Sequence, residues 1–217
     1  MSAEPTIFVV DDDQTLRSSL RWLLESLKLN VRTYASAHEF LSTYDPVQPG
    51  CLVLDVRMPD ICGLELQEIL TQRGIRIPVI MITGHGDISM AVRAMKAGAV
   101  DFIEKPFNDQ ELLERVQQAL TLDAGQRREE AQKKNANDHL VLLTPREREV
   151  LEKVVCGKLN KIIADELGVS MKTVEAHRAK VMKKMGVNSV AELTRIYSNG
   201  SPHRGIPFAE LGNARIL

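Results

Sequence analysis

Short apolar segments alternate with amphipathic segments throughout the first half of the chain. The apolar segments are Thr6–Val10, Val31–Tyr34, Cys51–Leu54, Val79–Thr83 and Phe102–Glu104. They are short and rich in β-branched residues, so they predict strands. Between them apolar residues recur at helical spacing, in the segments Thr15–Leu27, Leu64–Gln72, Ile88–Ala97 and Asp109–Leu120. Strands that alternate with helices predict a parallel α/β sheet covered on both faces.

Composition excludes several classes of protein. The 217 residues are 44% hydrophobic and 26% charged, which is ordinary for a soluble globular protein. No segment approaches the roughly 18 apolar residues of a membrane span, and the N-terminus carries no secretion signal. The three cysteines, Cys51, Cys62 and Cys156, form no CxxC pair, so they indicate free thiols in a reducing compartment. We therefore expect a cytoplasmic protein without a membrane partner.

Charge is distributed unevenly between the two halves. Residues 1–122 carry 11 basic and 17 acidic residues, a net charge of −6, whereas residues 139–200 carry 11 and 7, a net charge of +4. This split favours a cation or phosphoryl site in the first half and a polyanionic partner for the second. A simple drift of surface charge remains the alternative.

The second half changes from alternating elements to helices alone. Residues 123–138 are almost wholly polar, with four positive and four negative charges, which is typical of a linker; we expect a helical extension that frays into a hinge. Thr144, Pro145 and Glu147 then form a helix start signal. Predicted helices follow at Pro145–Cys156, Asn160–Leu167, Met171–Met185 and Ser189–Tyr197.

These patterns divide the chain into four predicted parts. A first domain covers 1–122, a polar, helical linker covers 123–139, an all-α four-helix domain covers 140–200, and a poorly ordered tail covers 201–217.

Acidic and phosphate-compatible side chains stand where the predicted strands end. They are Asp11, Asp12, Asp55, Thr83 and Lys105. In an open α/β sheet this edge is where ligands bind. Converging carboxylates favour Mg²⁺, a carboxylate can take a phosphoryl group, and a lysine and a hydroxyl suit phosphoryl oxygens. The plainer alternative is that these residues form turns and helix caps, and we expect Asp13 to be such a cap.

A helix-turn-helix pattern lies in the second half, with Asn160–Leu167 as its first helix and Met171–Met185 as its second. The outward face of the second helix carries mainly basic and small side chains. They are Lys172, Thr173, Glu175, Ala176, Ala179, Lys180, Lys183 and Lys184. Such a face suits the major groove of DNA, where lysines contact phosphates. Glu175 suits cytosine and Ala176 a thymine methyl group. A helical protein-interaction domain is the alternative.

The first half resembles the response-regulator receiver family over Pro5–Leu122. The motifs that carry the resemblance are Asp11-Asp12, Asp55 with Met58-Pro59 and Gly63, Thr83-Gly84, and Lys105-Pro106-Phe107. Thr83–Asp87 and Ala94–Phe107 are most similar to the FixJ group. The resemblance implies a flavodoxin-like (βα)5 fold with sheet order 2-1-3-4-5.

The same resemblance implies a chemistry. Asp55 accepts a phosphoryl group from a sensor histidine kinase. Asp12, Asp55 and the main-chain carbonyl of Arg57 bind Mg²⁺, while Asp11 acts mostly through water. Thr83 and Lys105 contact the phosphoryl group, and Phe102 has the aromatic switch position.

The second half resembles the LuxR/NarL-type DNA-binding domain from Leu140 to Tyr197. The matching stretches are Leu143–Glu147, Asn160–Ala164 and Val174–Arg178. This resemblance implies a dimer on an inverted repeat in double-stranded promoter DNA. We expect His177 to contact a phosphate or to pack, because no second metal ligand stands nearby, and Arg178 to brace the helix or reach the DNA backbone.

Together these features predict a two-component transcription regulator. Phosphorylation is expected to promote homodimerisation through the face formed by residues 88–97, 102–104 and 109–120, and RNA polymerase is a further partner to consider. We expect no enzymatic activity beyond Mg²⁺-dependent self-phosphorylation and slow self-dephosphorylation of Asp55.

Two other classes fit less well. Aspartate-nucleophile phosphatases need a second carboxylate two residues after the nucleophile, and this chain has Arg57 there. A redox switch would use Cys51, Cys62 or Cys156, but it leaves the Asp-Thr-Lys set unexplained.

Overall fold

The structure is a computed structural model that describes residues 4–84 and 88–200. The chain divides into two compact units, Met1–Arg127 and Arg128–Leu217. No helix within the described ranges is long and apolar enough to cross a membrane. The predicted tail 201–217 and the loop 85–87 of the FixJ-like motif lie outside the described residues.

The first unit is built on five parallel strands. They are β1 (Thr6–Val10), β2 (Asn30–Tyr34), β3 (Gly50–Asp55), β4 (Val79–Thr83) and β5 (Asp101–Glu104). Their order in the sheet is β2-β1-β3-β4-β5, so the predicted flavodoxin-like order is confirmed. The order reverses between β1 and β3, which pair with Val10 opposite Leu54. This switch point places Asp11 and Asp55 side by side at the carboxyl edge.

Helices cover both faces of the sheet. They are α1 (Gln14–Ser26), α2 (Ala37–Thr43), α3 (Gly63–Gln72), α4 (Ile88–Lys96) and α5 (Asp109–Val141). Alternate strand residues pack in opposite directions: Phe8 and Leu52 join a core with α2, α3 and α4, whereas Ile7 and Val53 join one with α1 and α5. This strict alternation is why a mostly apolar strand sequence gives two cores rather than one.

Two helices differ from the sequence expectation. Sequence analysis named no segment at α2, although Ser36 and Glu39 form a helix start signal there: the Ser36 hydroxyl accepts from Glu39 N, and the Glu39 carboxylate accepts from Ala35 N. α5 does not end near Leu120 but runs for 33 residues. The helical extension expected over residues 123–138 is therefore present as the continuation of α5, and the part expected to fray into a hinge is also helical.

The second unit has its own core. The end of α5 is followed by α6 (Pro145–Val155), α7 (Asn160–Leu167), α8 (Met171–Met185) and α9 (Val190–Gly200). Val150, Ile163, Val174 and Val181 are among the buried side chains that hold these helices together. The predicted N-cap at Thr144 is present and includes the Glu147 side chain. Gly168 and Gly186 end α7 and α8 in the left-handed conformation, with φ values of 64° and 65°, which suits glycine.

Candidate functional site

The carboxyl edge of the sheet brings two aspartates onto one lysine. Lys105 Nζ lies 2.6 Å from Asp55 Oδ1 and 2.9 Å from Asp11 Oδ2. Both aspartates are buried, with relative exposures of 3% for Asp11 and 5% for Asp55. The three residues come from the ends of β1, β3 and β5, so the sheet topology itself assembles the site.

Backbone groups hold the remaining carboxylate oxygens. Asp55 Oδ2 accepts from Arg57 N at 2.7 Å, and Asp11 Oδ1 accepts from Asp13 N at 2.8 Å. Arg17 donates to the Asp11 carbonyl over 2.7 Å, a contact for which sequence reasoning had no signal. The carboxylates are therefore fixed in direction before any ligand arrives.

The pocket retains excess negative charge. Burial raises the pKa of Asp55, and nearby Asp11 raises it further, while the hydrogen bond from Lys105 lowers it; the balance is a raised pKa. Burial alone lowers the pKa of Lys105, but its hydrogen bonds to Asp55 and Asp11 outweigh this and raise its pKa. The lysine thus stays protonated beside two carboxylates, a combination that favours an additional cation.

The donor set suits Mg²⁺ in its chemistry. Asp11 and Asp55 offer hard oxygen ligands, and Asp12 is exposed next to Asp11 and faces the solvent from which a hydrated ion would come. Within residues 4–84 and 88–200, however, no three His, Cys, Asp or Glu side chains form a ready metal-binding group. The structure brings two of the predicted acidic ligands together, and the assignment of Asp12 and the Arg57 carbonyl to a metal stays a prediction.

Asp13 has the role expected of it. It is the N-cap of α1, and its carboxylate accepts from Thr15 N and Leu16 N. These two backbone hydrogen bonds lower its pKa. Because Asp13 caps α1, only Asp11 and Asp12 of the three consecutive aspartates are available as ligands in the pocket.

Thr83 and Phe102 lie on β4 and β5, the two strands on one side of the strand that ends at Asp55. Thr83 ends β4 and is fully buried at 0% exposure, and its carbonyl accepts from Lys105 N at 2.7 Å. Phe102 is half-buried in β5 and packs against the core that includes Phe8 and Leu54. Thr83 therefore lies at the carboxyl edge on the strand next to Asp55, with little free space around it, and Phe102 lies one strand further away.

Gly63, the first residue of α3, packs against the backbone of Asp55, the candidate phosphoacceptor. A Cβ at this position would lie 2.3 Å from the Asp55 carbonyl oxygen and 3.0 Å from Val56 Cα. Gly63 N also donates to the Val56 carbonyl over 3.0 Å. The loop after β3 can approach this closely only because residue 63 has no side chain.

The predicted DNA face lies along α8. Lys172, Glu175, Ala176, Ala179, Lys180 and Lys183 are exposed, and Thr173 is half-buried. The Ser170 hydroxyl accepts from Thr173 N at the start of the helix, and Val174 and Val181 on the opposite side are buried. One face of α8 is thus packed while the other presents three lysine ammonium groups to solvent.

Lys184 differs from these lysines. Its Nζ donates to Glu147 Oε2 at 2.6 Å and to the Leu142 carbonyl at 3.1 Å. The hydrogen bond from Lys184 lowers the pKa of Glu147 to about 2, and the Thr144 backbone N–H acts in the same direction. The ammonium group of Lys184 therefore ties α8 to the start of α6, a role that sequence analysis did not anticipate.

His177 and Arg178 are both half-buried. Arg178 donates to Asn160 Oδ1 over 2.8 Å and so joins α8 to α7, which agrees with the bracing role considered for it. His177 Nδ1 is buried, and no hydrogen-bond partner for it occurs among the described residues.

Both halves match known families. Residues 7–117 match the response regulator receiver domain, and residues 141–197 match the bacterial regulatory proteins of the luxR family. Among curated proteins, the transcriptional regulatory protein TdiR of Thauera aromatica is 44% identical over 91% of this chain and 87% of its own length. The transcriptional regulatory protein FixJ of Azorhizobium caulinodans is 47% identical over 88% of this chain and 90% of its own length.

Solved structures give the same result. The response regulator StyR has a TM-score of 0.83 and is 46% identical, with 90% of this chain and 99% of StyR covered. Full-length FixJ from B. japonicum has a TM-score of 0.57 and is 40% identical, with 91% and 97% covered.

Proposed function

This chain belongs to the two-component response regulators that carry a receiver domain and a LuxR-type DNA-binding domain, and from that premise we propose that phosphorylation of Asp55 controls its binding to promoter DNA. As a response regulator it is a transcription regulator. The observation that carries the finer proposal is the shared contact of Lys105 Nζ with Asp55 and Asp11, at 2.6 and 2.9 Å. This contact supports a role for Asp55 as the nucleophile, because its buried carboxylate lies beside a fixed cation.

The phosphoryl step uses the groups of this pocket. A carboxylate oxygen of Asp55 attacks the phosphorus atom of the donor, an acyl-phosphate bond forms, and the bond from phosphorus to the leaving group breaks. With a sensor histidine kinase the leaving group is the imidazole nitrogen, which takes up a proton; with acetyl phosphate it is acetate. Lys105 Nζ compensates the charge on a phosphoryl oxygen. Bound Mg²⁺, held by Asp11, Asp12, Asp55 and the Arg57 carbonyl, would supply further charge compensation.

The response of the receiver follows from packing. The Thr83 hydroxyl turns toward the new phosphoryl oxygens, and Phe102 moves into the space that Thr83 leaves. The two positions lie on neighbouring strands, with Met81 opposite Phe102 and Thr83 opposite Glu104. A change there repacks the face formed by residues 88–97, 102–104 and 109–120.

We assign homodimerisation to that face. Val92 and Met95 of α4 are 45% and 48% exposed, so the face already presents apolar side chains to solvent. Repacking that enlarges this apolar area would favour a second copy of the chain. Two receivers held together would bring two DNA-binding units to an inverted repeat.

DNA binding is assigned to the exposed side of α8. Lys172, Lys180 and Lys183 contact phosphates, and Glu175, Ala176 and Ala179 face base edges. Thr173 and His177 stand at the border of this face and contact the backbone. Such a protein acts in the cytoplasm with a sensor kinase, DNA and RNA polymerase as partners.

A function as an aspartate-nucleophile phosphatase has less support. Two residues after Asp55 the chain carries exposed Arg57, and its backbone N–H is bound to Asp55. No carboxylate stands there to activate water for rapid turnover, so we propose only self-phosphorylation and slow self-dephosphorylation.

The test is mass spectrometry of the intact protein after treatment with acetyl phosphate and Mg²⁺. Transfer of one phosphoryl group adds about 80 Da, and we expect Asp55→Asn to remain unmodified. Asp60→Asn is the matched control, because Asp60 lies in the same loop and is exposed. If Asp55→Asn still gains that mass, or if phosphorylation leaves the affinity for duplex DNA unchanged, the proposal is wrong.

A further inference from the structure

An ion pair between a buried aspartate and a half-buried arginine holds α5 just beyond the turns that cover the sheet. Asp123 is 3% exposed, and its two carboxylate oxygens each lie 2.9 Å from Arg127 Nε, one turn later in the helix. Asp123 Oδ2 also accepts from Gly50 N at 2.9 Å. Because Gly50 is the first residue of β3, the helix is attached to the strand that ends at Asp55.

Arg127 makes a second set of contacts with the segment that leads into β3. Its guanidinium group donates to three successive carbonyl groups, those of Pro46, Val47 and Gln48, over 3.1, 3.0 and 2.8 Å. A planar donor with five N–H groups suits such a fixed set of acceptors. We call Asp123, Arg127 and these acceptors the α5 clasp.

The clasp encloses a turn of the helix that contains a glycine and little apolar packing. Leu122, Ala124 and Gly125 are exposed, so this turn has little apolar packing, and glycine is a poor helix former. A Cβ at Gly125 would meet nothing within 4 Å, so the glycine is not required by close packing. The first compact unit ends at Arg127, the last residue of the clasp.

We propose that the α5 clasp makes the turn around Gly125 part of the receiver unit, so that a movement of α5 on phosphorylation passes this turn and reaches residues 128–141. Without the clasp the turn frays, and the movement is lost before it leaves the receiver. Phosphorylation of Asp55 as the cause of the movement rests on the proposed function. Whether the clasp keeps the turn around Gly125 helical does not depend on it.

The test uses the full-length protein and two measurements. Hydrogen exchange of peptides covering residues 120–130 reports whether the turn is intact, and the ratio of DNA affinities with and without acetyl phosphate reports coupling. The DNA is a duplex selected from a random pool by the wild-type protein. Arg127→Gln removes the clasp cation, Asp123→Asn removes its anion, and Arg128→Gln is the matched control at an exposed neighbouring position.

We expect Arg127→Gln and Asp123→Asn to raise exchange around Gly125 roughly tenfold, because hydrogen bonds to charged groups are lost. The gain in DNA affinity on phosphorylation falls toward one, while the mass increase at Asp55 is retained. Adding Gly125→Ala to Arg127→Gln should restore both readouts in part, because alanine strengthens the helix. Arg128→Gln should behave as the wild type.

The outcomes separate the two claims. Unchanged exchange in both clasp variants overturns the structural part of the inference, and raised exchange with an unchanged affinity ratio overturns the coupling. If the wild-type protein itself shows no gain in DNA affinity on phosphorylation, the proposed function fails, and the coupling fails with it. Loss confined to the clasp variants supports the inference and leaves the proposed function intact.

Discussion

Lys105 Nζ and Asp55 Oδ1 lie 2.6 Å apart, although 50 positions separate the two residues in the chain. The same ammonium group is shared with Asp11, so one cation faces two buried carboxylates. The site therefore attracts positive charge, and the folded receiver carries an electrostatic cost for keeping two carboxylates together.

That cost predicts a stabilising substitution. The pKa of Asp55 is raised in the folded state, so ionising it as the pH rises from acid to neutral weakens the fold. We expect Asp55→Asn to raise the Tm of the receiver at pH 7 by about 4 °C, the scale of 1 kcal/mol. Below the ordinary carboxyl pKa of about 4 the difference should vanish, since Asp55 is then protonated in both states. Calorimetry at pH 7 and pH 3 checks this, with Asp60→Asn as control; a lower Tm at pH 7 would contradict it.

Gly63→Ala should damage the site without changing any polar side chain. The new Cβ would lie 2.3 Å from the Asp55 carbonyl oxygen, so the loop after β3 must shift. We expect a loss of about 1–3 kcal/mol of stability, as in other overpacked positions, and at least about a tenfold slower phosphorylation, because misplaced reacting groups slow a reaction steeply. Urea unfolding and intact-mass kinetics measure both effects. Gly125→Ala, which meets nothing within 4 Å, should leave phosphorylation unchanged.

The lowered pKa of Glu147 predicts that acid destabilises the second unit. Its pKa is lowered to about 2 by Lys184 and by the Thr144 backbone N–H, so its stabilising contribution is complete above the ordinary value near 4.5. That contribution is lost as the pH falls from about 4.5 toward 2. Hydrogen exchange of α6 and α8 across this range should show the loss in the wild type and a weaker dependence in Glu147→Gln. An equal pH dependence in both proteins would assign the acid response to other groups.

Substitution of Lys183 should change DNA affinity, whereas substitution of its neighbour Lys184 should change stability. Lys183 is exposed on α8, whereas the Lys184 ammonium is bound to Glu147 and Leu142. We expect Lys183→Ala to reduce the dependence of log K on log salt by about one and to leave Tm unchanged. Lys184→Met should lower stability by about 1–3 kcal/mol, the usual cost of losing a hydrogen bond between charged groups. Fluorescence anisotropy at several salt concentrations and thermal unfolding distinguish the two; equal salt slopes for Lys183→Ala and the wild type would remove Lys183 from the interface.

Local signals in the sequence predicted most of the fold. Alternating apolar segments predicted β1 and β4 with their observed bounds and the other three strands to within one residue at each end. Short-range hydrogen bonding explains why Asp13 and Thr144 could be assigned as caps. The start signal formed by Ser36 and Glu39 was equally local, yet α2 is only seven residues long and too short to give a periodic pattern. The convergence of Asp11, Asp55 and Lys105 followed from strand ends alone, since parallel strands bring these ends to one edge.

Contacts between distant residues were not predictable. Lys184 has the same sequence context as Lys183, and only the packing of α8 against the start of α6 distinguishes them. A helical extension over residues 123–138 was expected, but the contacts that hold its first residues in place were hidden for the same reason. Residues 123–127 lack an apolar stripe, and Asp123 and Arg127 bind backbone groups near the start of β3, more than 70 positions earlier.

The late position of Lys105 in the chain also determines the order in which the pocket residues emerge from the ribosome. Asp11 and Asp55 belong to earlier strands, while their shared cation follows β5, the last strand of the sheet to emerge. A nascent chain that ends before residue 105 holds the acidic pair without its lysine. Translation thus supplies the lysine last among these three residues, together with the final strand of the sheet.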